Sequence, residues 1–280
     1  MSKVIVVAGP TASGKTALGI RLAKERGGEI VSADSMQIYR GMDIGTAKAT
    51  GAERAEAVHH MIDIVDPAED YSVARYVEDA ARCCDDILSR GLTPIIVGGT
   101  GLYIDSLLSG RDFGDTCPHR QDLADRYDAI GGEEMIRELA TFDPDRAAIL
   151  KPNDKKRIVR AFEVYLATGE TITAHDERTK RLPPRYDYEF IFLNPERAEL
   201  YARINRRVDR MMEEGLVGEV ERLLETVPAS ATSMQAIGYK EIAAYLRGEC
   251  RLDEAVEQIK LGSRRYAKRQ ITWFKRYEHF

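Results

Sequence analysis

The stretch with the clearest chemical potential is residues 9–16, GPTASGKT. Its spacing, G-x-x-x-x-G-K-[ST], is that of a loop whose backbone N–H groups close around linked phosphates. Gly9 and Pro10 open it, Thr11, Ala12 and Ser13 carry it over, and Gly14 lets the main chain come close to oxygen. Lys15 supplies a point charge, and the Thr16 hydroxyl can bind Mg²⁺. Such a loop reports two or three linked phosphates without saying whose they are. They can belong to ATP, or to a diphosphate that departs during other chemistry. An NTP-hydrolysing enzyme also has an apolar strand ending in a metal-holding Asp. EIVSAD, ending at Asp34, could serve, and MIDIVDP is a weaker candidate, whereas TPIIVGG ends in glycines. A small-molecule kinase therefore stays open on the loop and Asp34 alone.

The elements that must position these residues are legible nearby. KVIVVA at 3–8 is a continuous apolar run, as suits a strand buried on both faces of a parallel sheet. The phosphate loop follows it and opens a helix that stops at Gly27. EIVSAD, MIDIV (61–65) and TPIIVGG read as further strands, and residues 72–91 as an amphipathic helix closed by Gly91. The alternation predicts an α/β fold with a P-loop NTPase-like parallel sheet. It breaks near 110. No strong strand follows until YEFIFL at 188–193, and the segment between reads as helices only. The expected organisation is a core of 1–112 and 187–280 with a small helical insertion domain, 113–186, hinged near 110–118 and 183–188.

The 280 residues are 44% hydrophobic and 31% charged, a globular balance, and no apolar run is long enough to span a membrane. Cys83, Cys84, Cys117 and Cys250 form no C-x-x-C pair, so a reducing cytoplasm is the expectation. The net charge of −5 argues weakly against a nucleic-acid partner. Its distribution argues the other way: Lys260–Phe280 holds seven Lys or Arg against the single acid Glu278.

Two further segments narrow the function. DSMQIYRGMDIGTAK (34–48) and GGTGLY (98–103), with the phosphate loop, resemble the tRNA dimethylallyltransferases, also called tRNA isopentenyltransferases. The resemblance extends through KPNDKKRIVRAFEV (151–164), RINRRVDRMMEEGL (203–216), QAIGYKE (235–241) and YAKRQITWF (266–274), in consistent order over nearly the whole chain. It implies transfer of a dimethylallyl group from dimethylallyl diphosphate to N6 of the adenosine just 3′ of the anticodon in certain tRNAs. The phosphates held by the loop then belong to the leaving group.

By the same resemblance Asp34 is the base that takes the N6 proton, and Thr100 bonds both the diphosphate and the target nucleotide. Arg207 is the arginine that reaches the diphosphate, with Arg203 and Arg206 as close rivals. Ser35, Met36 and Gln37 contact the target nucleotide and its neighbours, with Gln37 as reader of a base edge. Lys156, Arg157, Ile158, Val159 and Arg160 form a tRNA-contacting segment, and Arg120 is a further tRNA contact. The partners expected are the tRNA anticodon arm and dimethylallyl diphosphate; the cofactor is Mg²⁺, and the enzyme is expected to be a monomer. Tyr266, Trp273, Phe274 and Tyr277 interleave with basic residues near the C-terminus, a pattern that could form an RNA stacking platform; Trp273 and Phe274 read as core. Without a Cys/His zinc-finger extension, the chain looks like the compact bacterial form.

Overall fold

The structure is a computed structural model that describes residues 3–110 and 120–277. Among the described residues, five strands form one sheet: β1 (Val4–Ala8), β2 (Gly28–Ala33), β3 (His59–His60), β4 (Thr93–Gly98) and β5 (Tyr188–Phe192). All pairings are parallel, in the order β3-β2-β4-β1-β5. β1 is buried along its whole length, which is why its sequence does not alternate. Each buried Val or Ile there is worth about 1.5–3 kcal/mol.

Helix α1 (Lys15–Arg26) packs Ile20, Leu22 and Ala23 against Ile5, Val7, Ile30 and Ile95, and ends at Gly27 in the left-handed region. α2 (Gly51–Glu56) and α3 (Val73–Ser89) follow; Gly91, just past α3, also has positive φ. α4 (Gly101–Ser109) comes after β4. A second core joins residues 38–65 to the C-terminal helices α10 (Arg197–Glu213), α11 (Leu216–Leu224), α12 (Tyr239–Leu246) and α13 (Leu252–Phe274).

Between them lie α5 (Arg120–Ile130), α6 (Gly132–Leu139), α7 (Pro144–Ile149), α8 (Lys155–Thr168) and α9 (Ile172–Lys180), with a separate core of Leu123, Met135, Leu139, Ile158 and Phe162. Contacts divide the chain into Met1–Leu108 with Tyr186–Phe280, and Ser109–Arg185. Of the expected hinge at 110–118, and of Cys117, all but residue 110 lies outside the described residues. Among the described residues no helix is long and apolar enough to cross a membrane.

The expected strand at 61–65 does not form. The edge strand is His59–His60, two residues earlier, and Met61 and Asp63 have φ of 62° and 58°. Left-handed residues cannot extend a ladder, so only an isolated Tyr39–Val65 bridge remains. The segment is held by side chains instead. Buried Lys48 donates to the Tyr39 carbonyl (2.8 Å), Asp43 Oδ1 (2.6 Å) and Asp63 Oδ1 (2.6 Å). Apolar Met61 and Val65 are buried, which gave this irregular stretch the look of a strand.

Candidate active site

Parallel strands deliver their following loops to one edge of the sheet. Ala8, Gly98 and Ala33 stand in one row across β1, β4 and β2. The residues just beyond them are therefore neighbours: the 9–16 loop, the Thr100 turn and Asp34.

Gly14 caps α1 with φ 93°, a conformation that favours glycine, and Ala12 adopts φ 61° in the turn before it. The loop curls so that Lys15 Nζ donates to the Pro10 carbonyl at 2.6 Å. Burial, then the charge of Arg207, push the Lys15 ammonium down to about 7, while Asp34 pulls it up. Arg207, from α10, reaches Thr11 Oγ1 at 3.4 Å, and burial and Arg210 lower its pKa. Of its rivals, Arg203 is paired with Glu199 one turn earlier and Arg206 points to solvent. Of the three arginines, Arg207 is the one that packing brings to the loop, through Thr11.

Asp34 is half-buried. Its Oδ1 accepts from the N–H groups of Met36 (2.9 Å) and Gln37 (3.4 Å), which fixes the carboxylate's direction. Thr100 N donates to Ala33 O, and Thr100 Oγ1 accepts from Ser35 N at 3.1 Å, so the two turns are tied together. Gln37 corrects its expected role as a base-edge reader. Its Nε2 donates to the carbonyls of Thr46 and Ala47, each at 3.3 Å, and its Oε1 accepts from Ser32 Oγ at 3.2 Å. Both donors are used within the protein, and the amide braces residues 46–47.

In the helical unit, Lys156 and Arg157 are exposed on α8. Arg160 (3.5 Å) and Arg120 (3.7 Å) both approach the carboxylate of buried Glu163. Ile158 and Val159 require a correction. Their side chains are 0% and 4% exposed in the core of this unit, so they present no side chain to a ligand and anchor the helix beneath the cations. At the C-terminus Phe274 is buried as expected, whereas Trp273 keeps 37% of its surface exposed. Its ring lies where a Cβ on Gly101 would stand 2.2 Å away, and its Nε1 donates to Asp105 Oδ2 at 3.0 Å.

Two residues of the site lie outside the expected set, Tyr266 and Gln270 on α13. Burial and the Asp34 charge push the Tyr266 hydroxyl up to about 12, with Thr100, Arg269 and Gln270 facing it. Both lie in YAKRQITWF, part of the resemblance, but nothing in that stretch aims either side chain at the phosphate loop.

Two cavities complete the geometry. One, about 730 Å³, is lined by the phosphate loop, the cations Lys48, Arg54, Arg207 and Arg210, and the acids Asp34, Asp43, Glu53, Asp63 and Glu214. The other, about 330 Å³, has an apolar wall including Met36, Ile204, Val208, Ile237 and Ile259. They share Thr11, Asp34, Thr46, Ala47, Arg207, Met211 and Tyr266, so Asp34 stands where the two cavities meet.

A parallel α/β sheet with a phosphate loop and two chambers joined at a carboxylate defines a group-transfer enzyme of the P-loop type. The comparisons make the class specific. A model of the IPP transferase family matches residues 37–277, and one of isopentenyl transferases matches 2–62. A tRNA dimethylallyltransferase of Acetivibrio thermocellus is 50% identical, over 100% of this chain and 90% of its own. A tRNA isopentenylpyrophosphate transferase structure from Bacillus halodurans superposes with TM-score 0.73 at 42% identity, covering 98% of this chain and 87% of that one. A eukaryotic dimethylallyltransferase acting on tRNA gives TM-score 0.86 at 32% identity, covering 98% and 70%. The chain belongs to the IPP transferase family, that of the tRNA dimethylallyltransferases.

Proposed function

We propose that the protein transfers the dimethylallyl group of dimethylallyl diphosphate to N6 of the adenosine 3′-adjacent to the anticodon of tRNA. The observation that carries the reading is the junction of the two chambers at Asp34. A diphosphate fits the phosphate-loop end of the larger cavity, between Lys15 and Arg207, and a flat base fits against the apolar wall of the smaller one. The reacting carbon and nitrogen then meet beside a carboxylate.

The allylic C1–O bond breaks as diphosphate leaves, and N6 forms a bond to C1. The amine is a poor nucleophile, because its lone pair is delocalised into the ring. It loses a proton as the new bond forms, and Asp34 accepts it. The loop N–H groups, Lys15 and Arg207 stabilise the charge that develops on the departing diphosphate. Thr100, tied to the Asp34 turn through Ser35, contributes its hydroxyl between the two substrates.

Among the described residues no cluster of three His, Cys, Asp or Glu could hold a metal by itself. A Mg²⁺ ion prefers to keep waters and bind through phosphate and one or two protein oxygens. The Thr16 hydroxyl, at the start of α1, fits that demand. Bound there, the ion would neutralise diphosphate charge.

A base must leave its stack to enter such a chamber, and RNA loops permit this. Arg120, Lys156, Arg157 and Arg160 supply cations suited to tRNA phosphates. The enzyme acts as a monomer in the cytoplasm. The test is incubation with Mg²⁺, dimethylallyl diphosphate and unmodified tRNA, followed by mass spectrometry. The expected result is one dimethylallyl mass gain on that adenosine; unmodified RNA with unconsumed diphosphate would contradict the reading.

A further inference from the structure

Thr11 and Thr100 belong to two turns that leave neighbouring strands, one cradling the leaving group and the other beside the base that activates the acceptor. Their separation matters, because misplacing reacting groups by about an ångström can cost ~10²-fold in rate. One side chain from the far end of the sequence spans both turns. Gln270 on α13 is 5% exposed. Its Oε1 accepts from the Thr11 N–H at 2.8 Å, and its Nε2 donates to the Gly99 carbonyl at 2.9 Å. A Cβ on Gly99 would stand 2.2 Å from that Nε2, so the glycine before Thr100 leaves the space the amide occupies.

We infer that Gln270 is a positioning residue for the transfer: its amide straps the phosphate loop to the Thr100 turn and sets the distance between leaving group and acceptor. The chemistry of the strap is specific. It needs one acceptor and one donor in fixed directions, which a carboxamide of this length provides at any pH. An apolar side chain of the same size loses both bonds. An ionised glutamate keeps the acceptor toward Thr11 but sets an oxygen against the Gly99 carbonyl; a protonated one restores the donor. The ionisable groups lining the same cavity include Lys15, Asp34 and Arg207, with Tyr266 one turn away on α13.

The inference rests on the proposed transfer, so two readouts are needed, one of them independent of it. Gln270→Leu and Gln270→Met should lower turnover about a hundredfold while the KM for tRNA stays within about threefold. Both should weaken pyrophosphate binding, measured calorimetrically, about tenfold, because the Thr11 turn loses its anchor. Gln270→Glu gives the sharper test. Burial raises a carboxyl pKa, so its turnover relative to the parent at the same pH should climb about tenfold from about pH 8 to about pH 6. Taking the ratio cancels the shared titrations that the new carboxylate leaves unshifted, and the pyrophosphate measurement, made at one pH, does not depend on them. Thermal melts identify variants that do not fold; if the leucine form fails, the methionine form and the glutamate ratio decide. A flat glutamate ratio, or apolar variants with parental turnover and pyrophosphate affinity, would overturn the strap. An inactive parent enzyme would sink the transfer reaction and leave the pyrophosphate measurement to judge the strap.

Discussion

The phosphate end of the sheet and the basic face of α8 both gather cations, yet they are built in opposite ways. At the sheet, Lys15 and Arg207 are drawn inward, and burial lowers both pKa values. On α8 the charges of Lys156 and Arg157 stay in water, while Ile158 and Val159 next to them in the chain are buried. A desolvated cation interacts strongly and at fixed distance, which suits stabilising charge on one leaving group. An exposed cation interacts weakly and is screened by salt, which suits holding a long polyanion without dictating one geometry.

The first way to sharpen this contrast is Asp34→Ala. It should lower transfer about a thousandfold, the middle of the range for a lost general base, with tRNA affinity nearly unchanged. Comparable turnover by the variant would remove Asp34 from the proton transfer. Next comes a pair on one helix. Arg207→Ala should cost about a hundredfold in kcat/KM for the diphosphate, whereas Arg203→Ala should cost less than about threefold. Equal losses would mean that burial and the Thr11 contact do not distinguish these arginines.

The same logic says how much of the site could be read from the chain. The phosphate loop was legible because its function is local: strand, turn and helix are consecutive, and the glycines answer to their own backbone. Asp34 was legible as an acid at a strand end, while its part as base was implied only by the resemblance. Gln270 was not, since its bond to Thr11 joins residues 259 apart. Gln37 was assigned outward because nothing local shows that its amide is claimed by the carbonyls of 46 and 47. Ile158 and Val159 entered the tRNA segment because the resemblance carries residues 156–160 over as a block, although the helical period turns them to the core. The 61–65 segment misled because apolar composition does not reveal left-handed residues. The alternation of strands and helices, and its break near 110, needed only periodicity.

Smaller effects follow on the surface. Lys156→Ala with Arg157→Ala should weaken tRNA binding and flatten its dependence on log salt by about one unit per lost phosphate contact, leaving turnover at saturating tRNA unchanged. A changed kcat would place these cations in the reaction itself. The smallest expected effect is on stability, at the sheet edge. There Glu29 is held at about 2, below its ordinary 4.5, by Arg90 and then by His60. A carboxylate whose pKa falls on folding adds stability above its unfolded pKa and loses it as pH drops toward the folded value. Glu29→Gln should therefore lower Tm by a few degrees at about pH 7, with the gap closing as pH falls toward about 3. A gap independent of pH would mean that shape, not charge, holds that edge.

The central claim is that leaving group and acceptor meet at Asp34. It is tested most directly by a crystal structure with a non-reactive dimethylallyl diphosphate analogue and an anticodon stem-loop. The account predicts both phosphorus atoms inside the 9–16 loop and the adenine N6 within about 3 Å of the Asp34 carboxylate. Phosphate bound elsewhere, or N6 beyond hydrogen-bond reach of Asp34 with the analogue in place, would contradict it.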